Sequence, residues 1–128
     1  MGWIKTMLAE FGQADSQRMD WYGWVTNQCG HLLIGLVLTW LGIMAGLSLA
    51  SAAGWVLAAY VAKEWRDIRA GGGIGDSLTD VGFVGCGILM ALVQWQQSIW
   101  GFLVVMTVAG ILALHGIRKR ILRQTQLP

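Results

Sequence analysis

The stretch HLLIGLVLTWLGIMAGLSLA, residues 31–50, contains no Asp, Glu, Lys or Arg and is long enough to cross a bilayer as a helix. The whole chain of 128 residues has the same character, since 55% of its residues are hydrophobic, 12% are charged and its mean hydropathy is +0.56. A soluble domain carries about a quarter of its residues as charges. The composition therefore predicts an integral membrane protein that forms a single domain, residues 1–128.

Three further apolar runs follow this stretch, separated by short turns. Together they predict an all-α, polytopic membrane protein with four transmembrane helices. The glycine-rich segment between Arg69 and Asp76 cannot sustain a helix, so the chain must turn there, with Asp76 or Ser77 as the N-cap of the third span. The predicted spans are about residues 27–49, 53–67, 78–95 and 99–117.

The first 20 residues differ from the spans because they mix polar and apolar side chains. Trp3, Met7 and Phe11 recur at helical spacing, which predicts an amphipathic helix lying in the membrane interface over residues 1–20. A frayed, solvated tail is the alternative. Acidic residues in this segment do not suit a signal peptide, so we expect the segment to remain on the mature protein. The aromatic cluster that follows is expected at headgroup depth: Trp21, Tyr22 and Trp24.

The basic residues predict the orientation. The loops after the first and third spans contain no Lys or Arg, whereas the loop after the second span and the C-terminal tail, residues 118–128, are basic. The positive-inside rule then predicts that both termini lie on the cytoplasmic side of the membrane. Because the basic residues lie where that rule puts them, nothing in the sequence suggests a nucleic-acid partner. The predicted partner is the lipid bilayer.

The segment KEWRDIRAGGGIGDSLTD, residues 63–80, concentrates the charge, with three of the nine basic and four of the seven acidic residues. It joins the end of the second span to the start of the third, and His31 begins the first span at the same boundary. Side chains of these types can hold a divalent cation, Mg²⁺, Mn²⁺, Ca²⁺ or Zn²⁺, or transfer protons. The predicted ligands are His31, Glu64, Asp67, Asp76 and Asp80, and the predicted phosphate- or headgroup-binding residues are Lys63, Arg66 and Arg69.

The same residues also allow a purely structural interpretation, with no binding site. Asp76 and Asp80 suit the start of a helix, while Glu64 and Asp67 suit pairing with the neighbouring basic residues in a solvated loop. The position of Glu64 and Asp80 along the spans favours a functional site. Both residues directly adjoin apolar helix, where a carboxylate facing lipid would be energetically costly. We therefore expect Glu64 and Asp80 to be the most buried members of the set that includes His31, and Asp76 to act as a cap.

Two motifs in this region carry a family resemblance. EWRDIR, residues 64–69, ends the second span, and DSLTDVG, residues 76–82, begins the third, while His31 lies early in the first. This arrangement, over residues 28–87, resembles the small YfiM-like envelope proteins and the VanZ-like membrane proteins. The resemblance implies a membrane protein of the cell envelope, with a connection to glycopeptide response through the VanZ-like members.

Two functions follow from the sequence. The first is a small bacterial or phage-type inner-membrane protein whose histidine and carboxylate cluster binds a divalent cation and acts on a lipid-linked or phosphorylated envelope substrate. No nucleophile is evident, so catalysis stays open. The second is a non-enzymatic phage or envelope component that oligomerises or recruits a partner, and whose acids only pair with Lys and Arg. Glycines in the spans would permit close packing within the chain or in a homo-oligomer: Gly42, Gly46, Gly82, Gly85 and Gly87.

Overall fold

The computed structural model describes residues 20–125, and this part of the chain contains four helices and no strand. The helices are α1 (Trp21–Met44), α2 (Leu49–Arg69), α3 (Ile74–Trp95) and α4 (Ile99–Gln124). The all-α prediction is confirmed for these residues. The amphipathic helix predicted for residues 1–20 lies outside the described residues, apart from Asp20.

Two side-chain caps move the first helices away from their predicted bounds. The Asp20 carboxylate accepts a hydrogen bond from the Gly23 N–H at 2.6 Å, so α1 begins at Trp21 instead of residue 27. The Ser48 hydroxyl accepts from the Ser51 N–H at 3.1 Å, so α2 begins at Leu49 instead of residue 53. The turn between α1 and α2 is accordingly short, residues 45–48.

The chain turns between Arg69 and Asp76 as predicted, but the predicted cap of α3 is wrong. Gly71 adopts a φ of 102°, a conformation that glycine reaches without steric cost, and Gly73 is the N-cap. Asp76 instead lies in the first turn of α3, where it suits the positive end of the helix dipole. Helix α4 begins at its predicted residue but continues to Gln124, so most of the basic segment predicted as a tail is helical.

Three of the described helices are long and apolar enough to cross a membrane: α1, α3 and α4. Helix α2 does not meet that standard, because five of its last seven residues, 63–69, are charged. Large apolar side chains cover the outside of the bundle, for example Ile111 and Leu114 on α4. Lipid is the solvent that suits such a surface, so the protein is a membrane protein.

Helices α1 and α3 form the centre of the bundle and run parallel, since Gln28 contacts Asp80 near their starts and Trp40 contacts Gln94 near their ends. Between these contacts the two backbones touch. A Cβ atom on Gly35 would overlap the Val84 carbonyl oxygen. A Cβ atom on Gly87 would overlap the backbone of α1 in the same way. This is the close approach that small residues permit between membrane helices.

The glycines singled out from the sequence behave differently from one another. Gly87 lies in the α1–α3 contact, and an added Cβ on Gly42 would meet the Ala52 side chain of α2 at 3.1 Å. Gly46 follows the end of α1, with a φ of 91°, and an added Cβ there would meet nothing within 4 Å. Gly82 and Gly85 also have open space around them. The expectation of close packing therefore holds for Gly42 and Gly87 within the chain.

Of the three aromatic residues expected at headgroup depth, Trp24 does not face the membrane but is buried inside the bundle, and its depth stays a prediction. Its side chain is only 2% exposed and packs edge-on against Phe83 of α3, with ring centroids 6.1 Å apart. On its other side the ring contacts Gly116 and Arg120 of α4. Trp24 therefore joins α1 to α3 and α4 at the end of the bundle that carries the charged residues, while Trp21 and Tyr22 remain exposed.

Candidate functional site

His31 lies at the centre of a buried polar cluster formed by α1, α2 and α3. Its Nδ1 atom is 2.5 Å from the Tyr60 hydroxyl of α2, and its Nε2 atom is 3.4 Å from Oδ2 of Asp80 on α3. The Asn27 side-chain amide, one turn earlier on α1, lies 3.0 Å from the same Nε2 atom. Both ring nitrogens are therefore engaged, and one imidazole connects three helices.

Asp80 is held by α1 at two points. Its Oδ1 atom accepts a hydrogen bond from the Gln28 amide at 2.8 Å, while Oδ2 faces His31. Gln28 and His31 are three residues apart, so both side chains project from one face of α1 toward α3. Gln28 is 1% exposed, and its Oε1 atom has no hydrogen-bond partner among residues 20–125. A buried carbonyl of this kind is where a small donor such as water would bind.

Glu64 joins the cluster through Tyr60. Glu64 follows Tyr60 by four residues on α2, so its carboxylate lies on the same helix face as the Tyr60 hydroxyl that contacts His31. Lys63 donates to Glu64 at 2.7 Å and lies 3.0 Å from an oxygen of Asp67. The Lys63 ammonium also lies 5.3 Å from the centre of the Tyr60 ring. Lys63, the more exposed of these side chains, therefore neutralises the carboxylates at the α2 side of the cluster.

Asp76 belongs to a separate pair. One of its carboxylate oxygens is 3.7 Å from the guanidinium of Arg120 on α4. Arg120 is itself buried, and its guanidinium lies 4.2 Å from the centre of the Trp24 ring, a cation–π distance. This pair joins the start of α3 to the last turns of α4.

The five predicted metal ligands are thus only partly brought together. His31 and Asp80 are direct neighbours, Glu64 is reached through Tyr60, Asp67 shares Lys63 with Glu64, and Asp76 pairs with Arg120. Between residues 20 and 125, no three His, Cys, Asp or Glu side chains are grouped closely enough to hold a metal ion. The divalent-cation site stays a prediction. Glu64 and Asp80 are buried as predicted, at 5% and 9% exposure, but His31, at 5%, is more buried than Asp80.

The three predicted phosphate-binding residues also differ in their surroundings. Lys63 is occupied by Glu64 and Asp67. Arg69 is exposed, and its guanidinium lies 5.2 Å from the centre of the Trp65 ring. Arg66 is exposed on the last turns of the same helix. Of these three residues, the two arginines present their charge to the surroundings, and their role in phosphate binding stays a prediction.

The hydrogen-bonding capacity of the cluster allows two arrangements of one proton. The Tyr60 hydroxyl has a single hydrogen, which it can direct to Nδ1 of His31 or toward the neighbouring Glu64 carboxylate. When it donates to Glu64, Nδ1 of His31 carries the ring proton and donates to the Tyr60 oxygen. When it donates to Nδ1, the ring proton is on Nε2, facing Asp80. Conversion of one arrangement into the other takes up a proton at one ring nitrogen and releases a second proton from the other nitrogen, as a relay requires.

Sequence reasoning missed four members of this region: Gln28, Tyr60, Arg120 and Asn27. Helical spacing could have found the first two. Gln28 precedes His31 by three residues and Tyr60 precedes Glu64 by four, so each shares a helix face with a residue already singled out. Arg120 had no comparable signal, because it lies within the basic run RKRILR, residues 118–123, whose other cations are exposed.

Comparisons with protein-family models, with curated proteins and with solved structures find no match to this chain.

Proposed function

We propose that the protein crosses the bacterial inner membrane four times, with both termini cytoplasmic. The parallel arrangement of α1 and α3 supports this topology. If α1 and α3 cross the membrane in the same direction, α2 must cross back between them. The turns that join α2 to these helices, 45–48 and 70–73, have only four residues each, so α2 must itself span most of the membrane thickness. Its charged last turns then share the cytoplasmic boundary with the starts of α1 and α3 and the end of α4.

Thiol labelling tests this topology. In a Cys29→Ser background, Ser51→Cys should react with a membrane-impermeant maleimide only from the periplasmic side, because Ser51 lies at the start of α2 and is exposed. Arg118→Cys, at the opposite end of the bundle, is the matched control and should react only from the cytoplasm. Labelling of both positions from the same side would rule out the four-span topology.

We infer further that the cluster of His31, Tyr60, Glu64 and Asp80 is a proton-transfer site. The observation that carries this inference is the single buried imidazole placed 2.5 Å from a phenol and 3.4 Å from a carboxylate on two other helices. Ionisable groups in a membrane helix are costly and are usually retained for function. In this site Asp80 and Gln28 orient the ring, while Tyr60 connects it to a second carboxylate, Glu64.

The substrate proposed for this site is a lipid-linked or phosphorylated amphiphile of the cell envelope. The boundary position supports it, since a headgroup at this level would lie beside the exposed Arg66 and Arg69, which can bind phosphate oxygens. His31 would accept a proton from the reacting hydroxyl or water, and Asp80 would stabilise the resulting imidazolium. Tyr60 and Glu64 would provide the second route for that proton.

A hydrolysis assay tests this function. The purified protein, reconstituted in phospholipid vesicles, is incubated with a polyprenyl diphosphate and the release of phosphate is measured. We expect His31→Gln and Tyr60→Phe each to lower the rate about 100-fold, the usual contribution of a general base. His115→Gln is the matched control, because His115 is the other histidine of the chain, lies toward the C-terminal end of α4 and is exposed. A wild-type rate equal to that of the empty vesicles would contradict this function.

A divalent cation at the cluster is the second candidate, and the charge balance favours it. Of four carboxylates at this end, Glu64 and Asp67 share Lys63 and Asp76 pairs with Arg120, whereas Asp80 faces the His31 imidazole and the Gln28 amide. A bound cation should raise the melting temperature when micromolar Mg²⁺, Mn²⁺, Ca²⁺ or Zn²⁺ is added in detergent. Asp80→Asn should abolish the rise, whereas Asp76→Asn should preserve it. An unchanged melting temperature with all four ions would exclude this candidate.

The non-enzymatic alternative has its own supporting observation. Lys63 with Glu64 and Asp67, and Arg120 with Asp76, are the acid–base pairs that a purely structural role requires. In that role His31 and Tyr60 would only connect α1 to α2. The hydrolysis assay separates the two possibilities, because a structural role predicts no phosphate release by the wild-type protein.

A further inference from the structure

A cavity opens at the end of the bundle opposite the His31 cluster, beside the turn between α3 and α4. Its volume is about 340 Å³, within the range of small-molecule binding sites. This end of the protein has no charge, since residues 32–62 and 81–117 contain no Asp, Glu, Lys or Arg. The cavity is lined by Gln94, Gln97, Ser98, Ile99 and Phe102.

The lining combines amides and a hydroxyl with two apolar side chains. The Trp40 indole N–H donates to Oε1 of Gln94 at 3.1 Å, which orients that amide and leaves its NH₂ group available as a donor. Trp40 is in turn packed edge-on against Trp95, with ring centroids 5.5 Å apart. The position of the Gln94 amide is therefore set by α1 as well as by its own helix.

Gln97 occupies an unusual backbone position at the cavity. Its φ of 53° lies in the left-handed region, which glycine adopts without steric cost and glutamine does not. The turn is held by hydrogen bonds from Gln97 N to Gln94 O and from Ser98 N to Val93 O, both 2.9 Å. The Gln97 side-chain amide makes no hydrogen bond to any residue from 20 to 125. A glutamine in a position that favours glycine thus adds a free amide to the cavity.

We propose that this cavity binds the uncharged, hydroxyl-rich headgroup of an amphiphile, with a glycosyl lipid as the chemical class. Without charged residues, this end of the protein cannot select a ligand by charge. Primary amides both donate and accept, which matches the paired hydroxyls of a sugar. Ile99 and Phe102 give an acyl chain an apolar wall. The site is independent of the His31 cluster.

NMR of the side-chain N–H groups tests the site. The protein in phosphatidylcholine nanodiscs is titrated with a monoglucosyl diacylglycerol, while the signals of the Trp40 indole and the Gln94 amide are followed. We expect saturable shifts. Gln97→Gly should weaken binding about tenfold, the effect of losing one good hydrogen bond. This variant also relieves the backbone at residue 97, so its fold should be retained. Gln96→Ala, in the same turn but outside the cavity lining, should bind like the wild type.

Two comparators complete the experiment. Diacylglycerol without a sugar should cause no saturable shift, and equal shifts with this lipid would overturn the proposal, as would an absence of saturation with the glucosyl lipid. Maltose in solution distinguishes the source of the headgroup. Binding of maltose would identify a soluble glycan as sufficient, whereas binding of the glucosyl lipid alone would identify a membrane lipid as the ligand.

Discussion

Replacing Gly87 by alanine should lower the free energy of unfolding by about 3 kcal/mol, the upper part of the range for an overpacked interior. The added Cβ would overlap the carbonyl oxygen of Leu32 and crowd the amide nitrogen of Leu36. Both atoms belong to the backbone of α1, so no side-chain rotation can relieve the overlap, and the two helices would have to separate along their contact. Denaturant titration in mixed detergent micelles, followed by circular dichroism, measures the change.

Gly85→Ala is the matched control for this substitution. It lies two residues away on the same helix, and an added Cβ would have nothing within 4 Å. Alanine is also the better helix former, so Gly85→Ala should be neutral or stabilising by about 0.5 kcal/mol. Gly35→Ala, across the contact, should behave like Gly87→Ala. Equal stability of the Gly85 and Gly87 variants would show that the α1–α3 backbones are farther apart than described.

Replacing Asp80 by alanine should also destabilise the protein by about 3 kcal/mol, in the range measured when one partner of a buried polar or charged pair is removed. The loss has two parts, because Asp80 accepts from the Gln28 amide and faces Nε2 of His31. Gln28 would be left with a buried donor that no other described residue reaches. The same detergent titration measures this change.

Asp76→Ala provides the comparison within the same helix. Asp76 is partly exposed and lies at a longer distance, 3.7 Å, from its partner Arg120. Arg120 would keep its contact with the Trp24 ring, so we expect a loss of about 1 kcal/mol or less. The order would contradict the described cluster if Asp76→Ala were the more damaging of the two substitutions.

The local elements of this fold are accessible from the sequence. Apolar runs and the glycines near residue 71 predict the helices and the turn before α3, because these signals depend on neighbours along the chain. The helix starts were less well predicted, although Asp20 and Ser48 are capping residues by type and adjoin the helices that they cap. The apolar pattern alone does not include these polar residues and therefore places the starts of α1 and α2 too late in the chain.

The packing of the helices was not accessible in the same way. Gly35 and Gly87 look like any other glycines in an apolar span, and only the pairing of α1 with α3 makes them a contact. The contacts within the His31 cluster were likewise not predictable from the sequence. Burial of Glu64 and Asp80 followed from their depth, but the phenol that connects His31 to Glu64 belongs to an uncharged part of α2. Such tertiary neighbours do not follow from sequence spacing.

The parallel pairing of the first and third helices has a consequence for the timing of biosynthesis. Gln28 meets Asp80 across 52 positions of the chain, so α1 is synthesised well before the carboxylate that it holds. Until α3 arrives, the Gln28 amide lacks that acceptor, and leaving it in hydrocarbon is unfavourable. Helix α1 is therefore expected to remain beside the insertion machinery until residue 80 has been translated, and to enter the lipid together with α3.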